Sequence, residues 1–126
     1  MNTDRALIES ELTQHVIGVF YTVYNELGGG FLESVYESAV ALALRETGLD
    51  VVQQVPLVVN FRGHVVGEFR ADIVVEKRVV LEIKAVERLI PAHEAQLINY
   101  LKASEIRVGL LLNFGPRAEF KRRVFD

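Results

Sequence analysis

The sequence contains no cysteine among its 126 residues. It therefore cannot form a disulfide, a thiolate zinc site or a cysteine nucleophile. No apolar run approaches the ~18 residues that a membrane-spanning helix needs, and the start, MNTDRALIESEL, lacks the basic and then apolar layout of a signal peptide. We expect a cytoplasmic protein without a membrane partner.

An excess of positive charge is also missing, since the formal net charge is −3. This argues against a broadly basic nucleic-acid binder, although it leaves room for a local basic groove. Neither a G-x-S-x-G nucleophile motif nor a phosphate-binding P-loop occurs, and the three histidines lack zinc-site spacing. The length and the 50% hydrophobic composition predict a single globular domain over residues 1–126.

Hydrophobic periodicity predicts three helices and at least four strands. Helices are expected over 4–27, from near Phe31 to about Thr47, and from Pro91 to about Ala103. Strands are expected over these four segments: 51–61, 65–75, 79–86 and 106–114. Pro56 marks the first strand as an edge strand, and 118–125 is either a fifth strand or a terminal helix. This order predicts an α/β fold, a three-layer-like α/β/α sandwich around a central mixed sheet.

The strand VVLEIKAV carries two charges in an otherwise aliphatic run. Glu82 and Lys84 are two residues apart and so share one face of the strand. If EKR forms a three-residue loop, Asp72 faces Glu82 and Arg70 faces Lys84. Opposed carboxylates destabilise a sheet, and a hard divalent cation, Mg²⁺ or Mn²⁺, is the natural compensating charge. The alternative is a solvated strand face with weak ion pairs.

Polar residues of two helices are further candidates. Glu33 falls between the directions of Val40 and Leu44, which predicts that it points partly inward, although a helix-dipole role at the first turn is an alternative. Gln96 and Tyr100 lie one turn apart on the third helix. They could bond to a phosphate or a water, or could form an ordinary polar boundary.

These residues together resemble the GxxExxY family of the PD-(D/E)XK nuclease superfamily. GFLESVY matches the G-x-x-E-x-x-Y signature at Gly30, Glu33 and Tyr36, and the segments VVNFRGHVVGEFRADIVVEKRVVLEIKAVERLIPAHEAQLINYLK and GLLLNFG are similar throughout. The resemblance covers nearly the whole chain and implies a restriction-endonuclease-like core with its site on the central hairpin. In two departures, Val23-Tyr24 replaces the family's usual Val-His, and the glycine turn lacks proline.

The resemblance implies metal-assisted phosphodiester hydrolysis of DNA or RNA. Its catalytic residues would be two metal-binding acids, Asp72 and Glu82, a catalytic lysine, Lys84, the helix acid Glu33 and the polar residue Gln96. Glu33 would hold a second metal or orient a metal-bound water. The expected substrate contacts come from residues nearby: Arg70, Tyr100 and Lys102. For one more basic cluster, a solvated surface is the preferred interpretation: Arg117, Lys121, Arg122 and Arg123.

Three classes of function remain open. The first is a Mg²⁺-dependent nuclease. The second is a nucleic-acid- or protein-binding module that retains the fold without turnover, and the third is an oligomeric protein whose polar strand face is a subunit contact. So small a core has little surface for gripping a duplex, which makes a homodimer or larger homo-oligomer a natural expectation.

Overall fold

The computed structural model describes residues 7–126. In chain order the elements are α1 (Ser10–Leu27), α2 (Glu33–Glu46), β1 (Val51–Phe61), β2 (His64–Val75), β3 (Val79–Lys84), α3 (Pro91–Ser104), β4 (Val108–Phe114) and β5 (Ala118–Val124). Among the described residues, no helix is both long and apolar enough to cross a membrane.

The first helix is shorter than predicted. Residues 4–6 lie outside the described residues, and 7–9 form turns before α1 begins at Ser10. Glu9, at the N-cap, has a left-handed φ of 53°, which an α-helix does not accommodate. The prediction of one continuous helix over 4–27 is therefore wrong at 7–9, because the apolar spacing continues past the point where the backbone leaves the helix.

One five-stranded sheet runs in the order β1-β2-β3-β4-β5. The β3–β4 pair is parallel and is connected by α3, whereas the other three pairs are antiparallel. The expected mixed sheet is thus confirmed, with β1 at one edge as Pro56 indicates. Of the two alternatives for the C-terminal segment, the strand is correct, since β5 pairs with β4 along its length.

Helices cover both faces of this sheet. Leu81 and Ile83 of β3 pack in a core cluster with α1 and α2, and Val80 packs in a second cluster with Leu97 and Leu101 of α3. The alternation of β3 side chains between the two clusters follows from the period of two in a strand. This arrangement confirms the predicted α/β/α sandwich.

Two hairpin turns set the strand register. The turn between β1 and β2 has two residues, Arg62 and Gly63, both with positive φ, and His64 belongs to β2 rather than to the predicted turn RGH. Positive φ at both positions matches the right-handed twist of the strands. The loop EKR has the predicted three residues, since Val75 pairs with Val79.

Candidate active site

The antiparallel ladder between β2 and β3 ends where their acidic residues begin. Its last pair is Ile73 with Leu81. Beyond this pair, carboxylate oxygens rather than backbone carbonyls accept hydrogen bonds from the strand N–H groups. The Asp72 N–H donates to Glu82 Oε2 at 3.0 Å, and the Ile83 N–H donates to Asp72 Oδ2 at 2.7 Å. The two carboxylates are therefore neighbours, as the residue count along the hairpin predicts.

Burial disfavours the ionised form of both carboxyl groups. Glu82 is only 3% exposed, and burial, followed by the charge of Asp72, raises its pKa to about 8. Burial also raises the pKa of Asp72, against the opposing effect of the hydrogen bond from Ile83. The Lys84 ammonium favours ionisation of both acids without cancelling these effects. A bound cation would compensate the remaining negative charge.

The donor set of this pair suits a small, hard cation. The backbone bonds use Oδ2 of Asp72 and Oε2 of Glu82, which leaves Oδ1 and Oε1 available to a ligand. Mg²⁺ is commonly held by one or two carboxylates and completes its shell with water and phosphate oxygens. Within residues 7–126, no group of three or more His, Cys, Asp or Glu side chains is placed to hold a metal ion. A cation here would thus depend on two side-chain ligands.

A chain of hydrogen bonds extends from Lys84 into α3. Lys84 Nζ donates to Gln96 Oε1 at 2.9 Å, and Gln96 Nε2 donates to the Tyr100 hydroxyl at 3.2 Å. The Tyr100 ring packs against Phe69 with centroids 5.4 Å apart. Burial, and then the charges of Glu82 and Asp72, raise the pKa of Tyr100. The structure thus brings together Lys84 of β3 and two polar residues of α3 that the sequence analysis identified separately.

Glu33 reaches the end of β3 from the first turn of α2. Its Oε2 accepts a hydrogen bond from the Ala85 N–H at 3.3 Å, and its charge raises the pKa of Asp72. Its carboxylate is thus directed at the end of β3, although the residue as a whole is exposed. The residue is exposed because α2 begins at Glu33, so this side chain lies at the first turn rather than over the core.

The signature residue Tyr36 fixes the glycine turn from which α2 starts. Its hydroxyl donates to the Gly28 carbonyl at 2.6 Å and accepts from the Phe31 N–H at 3.1 Å. Its ring stacks on Phe114 of β4 with centroids 4.2 Å apart. The Tyr24 hydroxyl of α1 donates to the Gly115 carbonyl at 2.8 Å. Both tyrosines therefore tie the helices to the end of β4.

Asn113, which the sequence analysis missed, binds the backbone of the segment that follows β3. Its Oδ1 accepts from the Val86 N–H at 2.9 Å, and its Nδ2 donates to the Val86 carbonyl at 3.0 Å. These side-chain bonds continue the ladder past Lys84, where β3 ends earlier than the predicted Val86. Because Asn113 is a single polar residue within the buried strand LLLNF, the sequence could have indicated a specific role for it.

Glu37 is a second residue that the sequence analysis missed. It lies one turn beyond Glu33 on α2, and its carboxylate accepts from Gln53 Nε2 at 3.0 Å and from Gln54 Nε2 at 2.9 Å. Its charge raises the pKa of both Asp72 and Glu82. Its i−4 spacing from the fully buried Ala41 could have indicated that it faces the sheet.

Two of the predicted substrate contacts, Arg70 and Lys102, bond to or pack against other parts of the chain. Arg70 pairs with Pro56 and donates to the Gln54 carbonyl at 3.1 Å. The prediction that it faces Lys84 is wrong, because the β2–β3 ladder ends before it. Lys102 lines a groove of about 460 Å³ between α3 and the β1–β2 hairpin, and its Nζ lies 5.9 Å from the ring centroid of Phe125.

The C-terminal basic cluster bonds to its own chain. The Arg123 guanidinium forms an ion pair with Glu94 of α3. The Arg122 guanidinium donates to the Ile8 carbonyl. Arg122 and Arg123 are thus half-buried and bonded within the chain, whereas a solvated surface was expected for the cluster.

A comparison with protein families identifies the superfamily to which this chain belongs. The model of the PD-(D/E)XK nuclease superfamily matches residues 10–124, so the chain belongs to that superfamily. Among solved structures, the crystal structure of SSO0001 is similar, with a TM-score of 0.61 and 23% identity over 97% of this chain. The match covers 62% of the SSO0001 chain, and it supports the fold alone. A comparison with curated proteins found no match.

Proposed function

We propose that this chain is a metal-dependent nuclease that hydrolyses phosphodiester bonds of DNA or RNA, with Asp72 and Glu82 as the ligands of Mg²⁺ or Mn²⁺. The adjacent carboxylates of buried Glu82 and half-buried Asp72 carry the proposal, because such a pair is unfavourable without a compensating charge. Membership of a nuclease superfamily agrees with this function. Carboxyl groups with pKa values raised by burial and by neighbouring negative charges are also characteristic of functional sites.

The residues around the pair have complementary roles in this proposal. A bound cation supplies a Lewis acid that polarises a phosphate oxygen and lowers the pKa of a water. Lys84 donates to the attacking water or to the phosphate and offsets the developing negative charge. Gln96 and Tyr100 hold the Lys84 ammonium in place, and Tyr100 contacts the substrate. Glu33 orients a water or contributes to a second metal position.

The proposal extends to the organisation of the protein. Its signature residues, Gly30, Glu33 and Tyr36, favour the GxxExxY family within the superfamily. We place a single nuclease domain over 1–126 and infer a homodimer or larger assembly, because a core of this size offers little surface to a duplex. We also expect the protein to be cytoplasmic, as its sequence predicts.

A substrate screen with matched variants tests the activity. The 126-residue chain would be incubated with single- and double-stranded DNA and RNA in Mg²⁺, Mn²⁺ or EDTA. We expect metal-dependent cleavage that falls about 100-fold or more in Asp72→Asn, Glu82→Gln and Lys84→Met. Glu68→Gln, at an exposed position of β2, should cleave like the wild type.

Three results would contradict the proposal. Cleavage that persists in folded Glu82→Gln would place the chemistry at another site. Binding of nucleic acid without cleavage under either metal, unchanged by the substitutions, would indicate a binding module. A change in oligomer size as the first effect of the substitutions would indicate that the acidic strand face is a subunit contact.

A further inference from the structure

The ladder between β1 and β2 is interrupted beside the acidic pair. Gln53 pairs with Ile73 and Val55 pairs with Ala71, but the intervening residues, Gln54 and Asp72, form no ladder pair. The register on both sides is unchanged, so no residue has been inserted. Gln54 has a left-handed φ of 54°, a conformation that is unfavourable for glutamine and that glycine adopts freely. The interruption is therefore a local distortion that other contacts must maintain.

Both strands change the layer against which they pack at this point. Val51 and Ile73 belong to the core cluster under α1 and α2, whereas Val55 and Ala71 belong to the cluster under α3. In a regular strand these odd-numbered side chains would share one face. The distortion turns the backbone, and Asp72 directs its N–H and its carboxylate towards β3.

Side chains of α2 and β2 hold the distorted residue, and a neighbouring side chain of β1 supports one of them. Gln54 Nε2 donates to Glu37 Oε1 of α2 at 2.9 Å, and Arg70 Nη1 of β2 donates to the Gln54 carbonyl at 3.1 Å. Gln53 Nε2 donates to the other oxygen of Glu37 at 3.0 Å, which fixes the carboxylate from both sides. Both the side chain and the backbone of Gln54 are thereby restrained.

We propose that Glu37, Gln54 and Arg70 are positioning residues, which hold the left-handed backbone at Gln54 and so keep the Asp72 carboxylate beside Glu82. Glu37 is part of α2 and accepts hydrogen bonds from the distorted segment of β1, which Arg70 in turn connects to β2, the strand that carries Asp72. Only the consequence for metal binding rests on the proposed function. The geometry can be tested without metal or activity.

The test compares two substitutions at one position. Gln54→Val removes the amide and adds a β-branched side chain, which resists a positive φ, whereas Gln54→Gly removes the amide but adopts this φ freely. The amide of Ile83, which donates to Asp72, is the reporter in ¹H–¹⁵N NMR spectra. We expect Gln54→Val to shift this amide, to accelerate its hydrogen exchange about tenfold and to weaken Mn²⁺ binding about tenfold. Gln54→Gly should retain the wild-type values.

A rescue experiment tests the part played by Glu37. Glu37→Gln keeps one acceptor oxygen and replaces the other with an NH₂ donor, so it cannot retain both existing hydrogen bonds, and we expect an intermediate loss in both measurements. Adding Gln54→Gly to Glu37→Gln should restore the Ile83 amide, because glycine no longer needs the restraint. The same rescue is expected for Arg70→Ala. A merely stabilising contact would lower the unfolding midpoint without such a rescue of the Ile83 amide.

Each outcome decides between the alternatives. An unchanged Ile83 amide in Gln54→Val, or a double variant that remains as impaired as Glu37→Gln alone, would overturn the proposal. If Gln54→Val does not fold, the comparison of Glu37→Gln with its double variant still gives the answer. A wild-type chain that binds no Mn²⁺ and cleaves nothing would reject the proposed function, while the amide comparison would still test the positioning role.

Discussion

Glu82 shows how a single residue can make this fold sensitive to pH. Its folded-state pKa of about 8 lies above the ordinary value of 4.5. Between these values the folded state binds more protons than the unfolded state, so the free energy of unfolding of the metal-free protein should fall as pH rises from about 5 to 8. The stabilising effect of protonation is complete below the unfolded pKa and is lost as pH passes the folded pKa.

Replacing Glu82 with Gln tests this dependence. The amide oxygen can still accept from the Asp72 N–H, but the side chain no longer ionises. We expect Glu82→Gln to raise the free energy of unfolding at pH 8 by a few kcal/mol, on the order of 1.4 kcal/mol per unit of pKa shift, and to change it little at pH 5. Urea denaturation in EDTA measures both values. Equal pH slopes for the wild type and Glu82→Gln would contradict the prediction, and Glu68→Gln is the exposed control.

The success of sequence reasoning at single residues depended on local geometry. Asp72 could be paired with Glu82 because the three-residue loop EKR fixes the register of the hairpin. The same count failed at Arg70, since it assumes a continuous ladder and the backbone distortion at Gln54 was not predictable from residue types. Glu37 was missed because its partners are set by the packing of α2 over β1, a tertiary property.

At the scale of elements, α3 packs so closely on β4 that only glycine fits at the contact. A Cβ added at Gly109 would lie 2.7 Å from Leu97 Cδ1 and 3.2 Å from Leu101 Cδ2. Both leucines are fully buried, so they have little space in which to move. Leu97 follows Gln96 directly, and any displacement of the helix would move the residue that holds Lys84.

We therefore expect Gly109→Ala to lower the free energy of unfolding by about 1–3 kcal/mol, the usual cost of overpacking a core. Gly18→Ala, in the interior of α1 with no atom within 4 Å of the added Cβ, should instead stabilise by about 0.5–1 kcal/mol. Urea denaturation of the two variants measures both effects. Unchanged stability of Gly109→Ala would show that α3 can shift without strain.

Element types were more predictable than element ends. Runs of β-branched residues identified β1 to β4, and the apolar periodicity identified all three helices. The ends of the elements depended on contacts that are not evident from the sequence. Beyond the end of β3, the Asn113 side chain bonds to the backbone of Val86, which was predicted to belong to the strand. The segment 118–125 stayed ambiguous because every residue of β5 is only half-buried, which blurs the alternation of a strand.

At the scale of the whole molecule, the β1–β2 hairpin exposes apolar side chains that the rest of the fold does not cover. These are Val58, Val59, Phe61, Val65 and Val66, with exposed fractions between 38% and 61%. β1 is also an edge strand, and an edge presents unpaired N–H and C=O groups to other chains. An exposed edge with apolar neighbours is a typical site of association.

We therefore expect concentration-dependent self-association through this hairpin, which agrees with the inferred homo-oligomer. Sedimentation velocity of the wild type over a range of concentrations should show a rising sedimentation coefficient. Val58→Lys places a charge on the edge strand and should restore monomers, because charged residues protect sheet edges. Leu42→Lys, at a 59% exposed position of α2, is the matched control and should associate like the wild type. A concentration-independent wild type, or association abolished by Leu42→Lys and not by Val58→Lys, would exclude the hairpin as the contact.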